Sequence, residues 1–262
     1  MEQLFVIKIG GNVIDDEKNL SSFLDDVANA KGKKILIHGG GKIATKIGEQ
    51  LGIAPNYVNG RRITDAATID LVTMVYGGLV NKKIIAQLQS KGSNAIGLTG
   101  ADANIIPAVK RPVKEIDYGF VGDVKGDRIN TAVLSSLLDS NLVPVFAPLT
   151  HDEKGQVLNT NADTIASSLA VAMSKKYQVR LIYCFEKKGV LENVEDDNSV
   201  ITLITKDIYK YLLEHHKLFD GILPKIDNAF AAIDNGVQEV IIGDARDLLV
   251  NVTDRVAGTM IK

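Results

Sequence analysis

The chain has 262 residues, 45% hydrophobic and 24% charged, with 30 Lys+Arg against 32 Asp+Glu and a formal net charge of −2 at pH 7. That composition excludes disordered, collagen-like and low-complexity chains, and the missing basic excess speaks against a nucleic-acid binder. The single cysteine, Cys184, cannot form an internal disulfide, which fits a reducing compartment, and in the apolar run 181–185 it reads as a small buried hydrophobe. No basic leader opens the chain and nowhere do about 18 apolar residues run together, so a soluble cytoplasmic protein without a membrane span is expected.

Residues 4–9 form an apolar run ending in Gly10-Gly11, a strand followed by a tight turn. Residues 15–30 place Leu20, Phe23, Leu24 and Val27 at helical spacing. A second strand, 34–37, runs into His38-Gly39-Gly40-Gly41, and Ile43, Ile47 and Leu51 then mark a helical face. Strand, helix, strand, glycine loop and helix in this order indicate a βαβ unit with a parallel sheet.

Residues 57–63 carry Asn59-Gly60, a strong hairpin signal. Residues 65–88 read as a long helix that the pair Gly77-Gly78 bends or splits. Strands are predicted at 94–98, 143–146, 178–185 and 239–242, with short strands and turns over 107–124 and a hairpin turn at 152–155. Helices are predicted at 131–138, 163–174, 206–215 and 223–235, and a polar loop at 192–199. The expected fold is α/β, an open, mainly parallel central sheet sandwiched by helices, in two lobes over 1–174 and 175–262 with a soft boundary.

Two strands end in glycines, after Lys8-Ile9 and at His38. Glycine lets a ligand approach the main chain, and free N–H groups at such turns attract anions. One glycine pair is equally a plain tight turn; two such loops, with Lys8 one turn before the first, point to anion binding. Gly39-x-Gly41-x-x-Ala44 formally matches the dinucleotide fingerprint, but the chain continues into a hairpin with Arg61-Arg62 in place of a strand ending in an acid. The P-loop pattern is absent.

Other polar residues are weaker signals. Asn159-Thr160-Asn161-Ala162-Asp163 reads first as a helix cap. Lys225 follows Gly221 and Pro224 near a helix start, where a cation opposes the helix dipole. Arg62 beside its hairpin reads first as a surface residue. No His/Cys/Asp/Glu set has metal-ligand spacing and no G-x-S-x-G elbow occurs, so no protein metal site is expected.

Taken together, Lys8-Ile-Gly-Gly11, His38-Gly-Gly-Gly41, Asn59-Gly-Arg-Arg62, Asn159-Thr-Asn-Ala-Asp163 and Gly221-Ile-Leu-Pro-Lys225 resemble the amino acid kinase family. Within it they are most similar to the branch that phosphorylates the side-chain carboxylate of N-acetyl-L-glutamate in arginine biosynthesis. The resemblance implies a kinase using ATP with Mg²⁺ carried by the nucleotide. It assigns Lys8 and Lys225 to charge stabilisation at the transferring phosphoryl group and Asp163 to orienting the two lysines. Gly40, Gly41, Arg62 and Asn159 would bind the acyl-amino acid, Arg62 at its α-carboxylate. Gly11, Glu186, Gly221 and Lys225 would bind nucleotide. The N-terminal lobe would hold the acyl-amino acid and the C-terminal lobe the nucleotide.

One departure stands out. Where the family has Ser/Thr-Asp before Gly-Val/Ile, this chain has Phe185-Glu186-Lys187-Lys188-Gly189-Val190. The alternatives are the same reaction on N-succinyl-L-glutamate, with Lys110 or Arg111 meeting the added carboxylate, or a catalytically silent nucleotide-binding protein. The resemblance also implies small-molecule substrates, with no nucleic acid or membrane partner. It implies a homodimer through residues 66–80, where Ile69, Leu71, Val72, Val75 and Leu79 exceed one core-facing stripe. Because arginine-inhibited relatives carry an extra N-terminal helix, insensitivity to arginine is expected.

Overall fold

Apolar runs without polar alternation become strands covered on both faces, the pattern of a parallel sheet. In the computed structural model, which describes every residue except 59, 194, 216 and 219–221, the chain divides into two compact units. One comprises residues 1–35 and 166–262, the other residues 36–165.

The first unit orders its strands Leu203–Ile204, Thr259–Ile261, Glu239–Asp244, Gln178–Phe185 and Gln3–Ile9. Gln3–Ile9 runs parallel to Gln178–Phe185, with Gln3 opposite Gln178 and Ile9 opposite Cys184. Gln178–Phe185 runs parallel to Glu239–Asp244, and Thr259–Ile261 is antiparallel to the latter. Leu4, Val6, Ile7, Leu181, Ile182, Val240 and Ile241 are fully buried along these strands. The helices Glu17–Asn29 and Leu223–Asp234 turn apolar faces inward, through Leu20, Phe23, Leu24 and Val27 in one and Ile226, Ala229 and Phe230 in the other.

The second unit pairs Leu36 and Ile37 of the strand Lys33–Ile37 with Val145 and Phe146, and Val143–Phe146 in parallel with Ala95–Leu98. Three two-stranded antiparallel hairpins complete it: Tyr57–Val58 with Arg61–Arg62, Ala108–Lys110 with Gly122–Val124, and Leu149–His151 with Val157–Asn159. The expected open, mainly parallel α/β architecture is therefore the observed one. The division differs from a single cut near Ser174. The N-terminal strand joins the C-terminal segment because it pairs along its whole length with Gln178–Phe185.

Two other differences have local causes. The predicted helix over 65–88 is an α-helix Ala66–Val72, a π-helical stretch Thr73–Val80 containing Gly77-Gly78, and an α-helix Asn81–Ser90. The strands Leu203–Ile204 and Thr259–Ile261 are too short to show a period in the sequence. Cys184 is buried, and burial pushes its thiol up to about 12, as befits an inert core residue.

Arg180 ties the first unit together. Its Nε donates to Glu239 Oε1 at 2.6 Å across the sheet and its Nη1 to the carbonyls of Asn251, at 2.8 Å, and Thr253. Both side chains are about nine-tenths buried, with exposures of 11% and 10%. Arg180→Met should therefore cost about 3–5 kcal/mol in urea unfolding, the penalty of leaving a buried carboxylate unpaired. Adding Glu239→Leu should recover most of it; a loss that stays the same in the double variant would contradict the pairing argument.

Candidate active site

In the second unit, the strand Lys33–Ile37 ends at His38 and the glycines that follow. Gly40 has φ +151°, and a Cβ there would stand 3.0 Å from Tyr76 Cδ1, so the loop needs glycine at this point. At Gly41 a would-be Cβ would point into open space. These glycines line a pocket of about 260 Å³ together with Tyr57, Arg62, Tyr76, Arg111 and Asn159.

Arg62 is the central charge of this pocket, and it is 8% exposed, not a surface residue. Its Nη2 donates to the Gly41 carbonyl at 3.0 Å, to Thr45 Oγ1 at 2.8 Å and to the Tyr57 hydroxyl. The guanidinium carbon lies 4.8 Å from the Tyr57 ring centre. No described residue accepts from Nε or Nη1, which leaves donors for an anion. Asn159 donates from Nδ2 to Thr64 Oγ1 at 3.0 Å, which fixes its amide at the pocket wall. Asn161 is the helix cap foreseen for this segment: its Oδ1 accepts from the N–H groups of Asp163, at 2.8 Å, and Thr164. Asp163 lies in the first turn of Ala162–Met173.

His38 holds the glycine loop from below. It is fully buried, with Nδ1 2.7 Å from the Gly39 carbonyl and Nε2 3.1 Å from Asn81 Nδ2. Asn81 can only donate there, and it also donates to the Val145 carbonyl at 3.0 Å. The imidazole is thus neutral, protonated on Nδ1 and accepting on Nε2.

In the first unit, Lys8 sits near the end of Gln3–Ile9 and Lys225 near the start of Leu223–Asp234. Their ammonium groups lie 5.6 Å and 4.2 Å from the centre of the same ring, Phe185. Phe185 stacks in turn on Tyr183, with centroids 6.4 Å apart and planes 5° from parallel. The residue that departs from the family pattern thus carries both lysines on an aromatic face. Glu186 accepts from Asn12 Nδ2 and lines a cavity of about 420 Å³ with Lys18, Asp26, Asp244 and Arg246. Gly11 is open, with no atom within 4 Å of a would-be Cβ, whereas Gly10 closes on the Cys184 carbonyl at 3.0 Å. Gly221 and Asn59 lie outside the described residues.

Residues 3–244 match the model of the amino acid kinase family. The chain belongs to the amino acid kinase family. It is 52% identical to the acetylglutamate kinase of Phocaeicola vulgatus over 261 residues, covering 100% of this chain and 99% of that one. It is 54% identical to the acetylglutamate kinase of Cytophaga hutchinsonii, again over 100% and 99% of the two chains. Among solved structures it is similar in fold to the N-acetylglutamate synthase of Neisseria gonorrhoeae, with a TM-score of 0.81 and 22% identity, over 99% of this chain and 59% of that one. Family membership implies ATP as the phosphoryl donor. No helix among the described residues is long and apolar enough to cross a membrane.

Reading the sequence missed Tyr57, Tyr76, Thr45 and the His38–Asn81 pair. Tyr57 was visible only as a hairpin residue, and Tyr76 lies in an apolar helical stretch where an aromatic residue reads as core.

Burial lowers the His38 pKa to about 4, against the smaller upward pull of its bond to Gly39. The unfolded chain takes up this proton near its ordinary value of 6.5 while the folded chain resists until about 4. The stability linked to His38 is therefore complete above pH 6.5 and lost as pH falls toward 4. The unfolding free energy of the wild type minus that of His38→Gln should fall by about 3 kcal/mol between pH 7 and pH 4. Urea titrations across this range check it; a difference that does not change with pH would contradict the neutral assignment.

Proposed function

We infer that the protein is an ATP-dependent kinase of N-acetyl-L-glutamate, forming N-acetyl-L-glutamyl 5-phosphate and ADP in arginine biosynthesis. The observation that carries this reading is the buried Arg62, with donors uncommitted, in a glycine-lined pocket of a chain about half identical to acetylglutamate kinases along its whole length. A buried guanidinium suits a carboxylate, and Asn159 suits the amide beside it.

The nucleophile in this reaction is a carboxylate, already ionised at neutral pH, so no general base is required. Its oxygen attacks the γ-phosphorus of ATP, the bond to the β–γ bridging oxygen breaks, and ADP leaves with the electron pair. Positioning and charge dominate such a transfer. Lys8 and Lys225 supply positive charge, with Phe185 as their shared support. Asp163 keeps the organising role the family implies. Gly11, Glu186, Gly221 and Lys225 are assigned to the nucleotide, and Gly40, Gly41, Arg62 and Asn159 to the acyl-amino acid. Mg²⁺ would ride on the nucleotide phosphates, with no dedicated protein cage. A cytoplasmic location fits a biosynthetic enzyme of this kind and is part of the same proposal.

ADP release with N-acetyl-L-glutamate tests the reading directly. Lys8→Met and Lys225→Met should each lower kcat by about 100-fold, the cost of one preorganised charge donor. Near-normal turnover in either variant at saturating substrates would remove that lysine from the mechanism.

A second reading, N-succinyl-L-glutamate as substrate, is favoured by one observation. Arg111 lines the same pocket as Arg62, and its Nη1 is buried without a partner among the described residues. Lys110 is exposed, with its ammonium 4.9 Å from the Phe120 ring centre. Against the second reading, Arg111 is already paired with Asp123, donating from Nε at 3.0 Å. The expected result is the larger kcat/KM for N-acetyl-L-glutamate. A tenfold preference for the succinyl compound, lost in Arg111→Ala, would establish the alternative.

The assembly we propose is a homodimer, on a narrower surface than the helical pattern implied. Ile69, Leu71, Val72 and Val75 are all buried in their own unit. What remains outside is Met74 at 57% and Leu79 at 40% exposure, flanking Gly78 with open space around it. Sedimentation should give twice the chain mass, and Met74→Asp with Leu79→Asp should give the monomer; a wild-type monomer at assay concentration would exclude the assembly.

A further inference from the structure

Lys8 and Lys225 bring two like charges to one ring. Their ammonium groups lie 5.6 Å and 4.2 Å from the centre of Phe185, one from the first strand and the other from a helix far along the chain. Each has a physical reason to turn away. Lys225 stands in the first turn of Leu223–Asp234, where the helix dipole repels a cation, and the two ammonium groups repel one another. Both also sit on flexible four-carbon stems that water would readily draw outward. A ring with no net charge attracts cations to its face through its quadrupole and so opposes that drift.

The ring is itself held in place. Phe185 ends the strand Gln178–Phe185, and Tyr183, two residues before it on the same face of the sheet, stacks on it with centroids 6.4 Å apart and planes 5° from parallel. Tyr183 is 2% exposed, so the stack is anchored in the core. Lys8 is opposite Tyr183 in the register of the two strands, which sends its side chain from the same face. Beyond it Gly10 donates its N–H to the Cys184 carbonyl at 2.8 Å. A Cβ at Gly10 would stand 3.0 Å from that carbonyl and 3.6 Å from Phe185 Cδ1, so the chain passes the ring at a residue without a side chain.

We propose that Phe185 is a positioning residue for the phosphoryl transfer: the electron-rich face of its ring holds the Lys8 and Lys225 ammonium groups where the transferring group develops charge. Charge that is already in place needs no reorganisation at the moment of reaction. Packing alone would be served by any apolar group of the same shape, whereas cation binding depends on the electron density of the ring. The proposal rests on the reading that these two lysines stabilise the transferring phosphoryl group.

Fluorine withdraws electron density from a phenyl ring with little change in its volume. Replacing Phe185 with mono-, di- and trifluorinated phenylalanine should lower kcat in steps, to about one tenth of wild type in the last, the equivalent of about 1.4 kcal/mol. KM for N-acetyl-L-glutamate should stay within about twofold, and the melting temperature should not change. Phe185→Leu should lower kcat at least as far, and Phe185→Tyr, which keeps the aromatic face, should stay within about threefold of wild type. If kcat is constant across the fluorinated series, or if Phe185→Leu turns over like wild type, the ring only packs and the proposal is overturned, while a loss of turnover in Lys8→Met and Lys225→Met still supports the reading of the lysines. If those two lysine variants turn over normally, that reading fails and takes the proposal with it.

Discussion

A guanidinium taken out of water must find acceptors inside the protein, and much of the second unit is arranged around that requirement. Arg62 is buried at the end of a two-residue strand that could not hold a side chain in place by itself. Three oxygens converge on one of its nitrogens, from the loop at Gly41, the helix residue Thr45 and the hairpin residue Tyr57. Gly41 and Thr45 lie one turn apart at the start of the helix Gly41–Gln50 and Tyr57 faces Arg62 across the hairpin, so the helix start and the hairpin are placed relative to one another by a single cation. Burying a charge is costly unless it is paired and hydrogen-bonded. The same cost makes the position informative, because the donors left over are strongly drawn to an incoming anion.

The glycine loop answers a second constraint. Gly40 sits against the Tyr76 ring in a backbone conformation that side chains rarely adopt, and His38 beneath it is locked as a neutral acceptor by Asn81. A protonated imidazole in that place would lose its bond from the Asn81 amide, so burial and the hydrogen-bond pattern favour the same protonation state. In the first unit, the two lysines share one aromatic ring, that of Phe185. The ring quadrupole attracts both ammonium groups while carrying no net charge of its own.

Length, composition and periodicity determined the class of this protein. Apolar runs such as 181–185 and 143–146 read as strands, and their alternation with helical stretches specified a parallel α/β sheet. The ordered set of short motifs, from Lys8 to Lys225, identified the family, because glycine turns and isolated charges acquire meaning in combination. What the tertiary structure alone decided was which residues share an environment. Arg62 read first as a surface residue, since burial of an edge residue depends on what folds over it. Tyr76 carried no signal of its own, because a π-helical turn leaves no mark in the spacing of apolar residues. Phe185 stood where the family has Ser/Thr, and its place beside two cations depends on strand and helix ends far apart in the chain. The pairing of the first strand with Gln178–Phe185 was equally hidden. Local pattern reports the period of a segment, whereas contacts across more than a hundred residues are settled only when the segments pack.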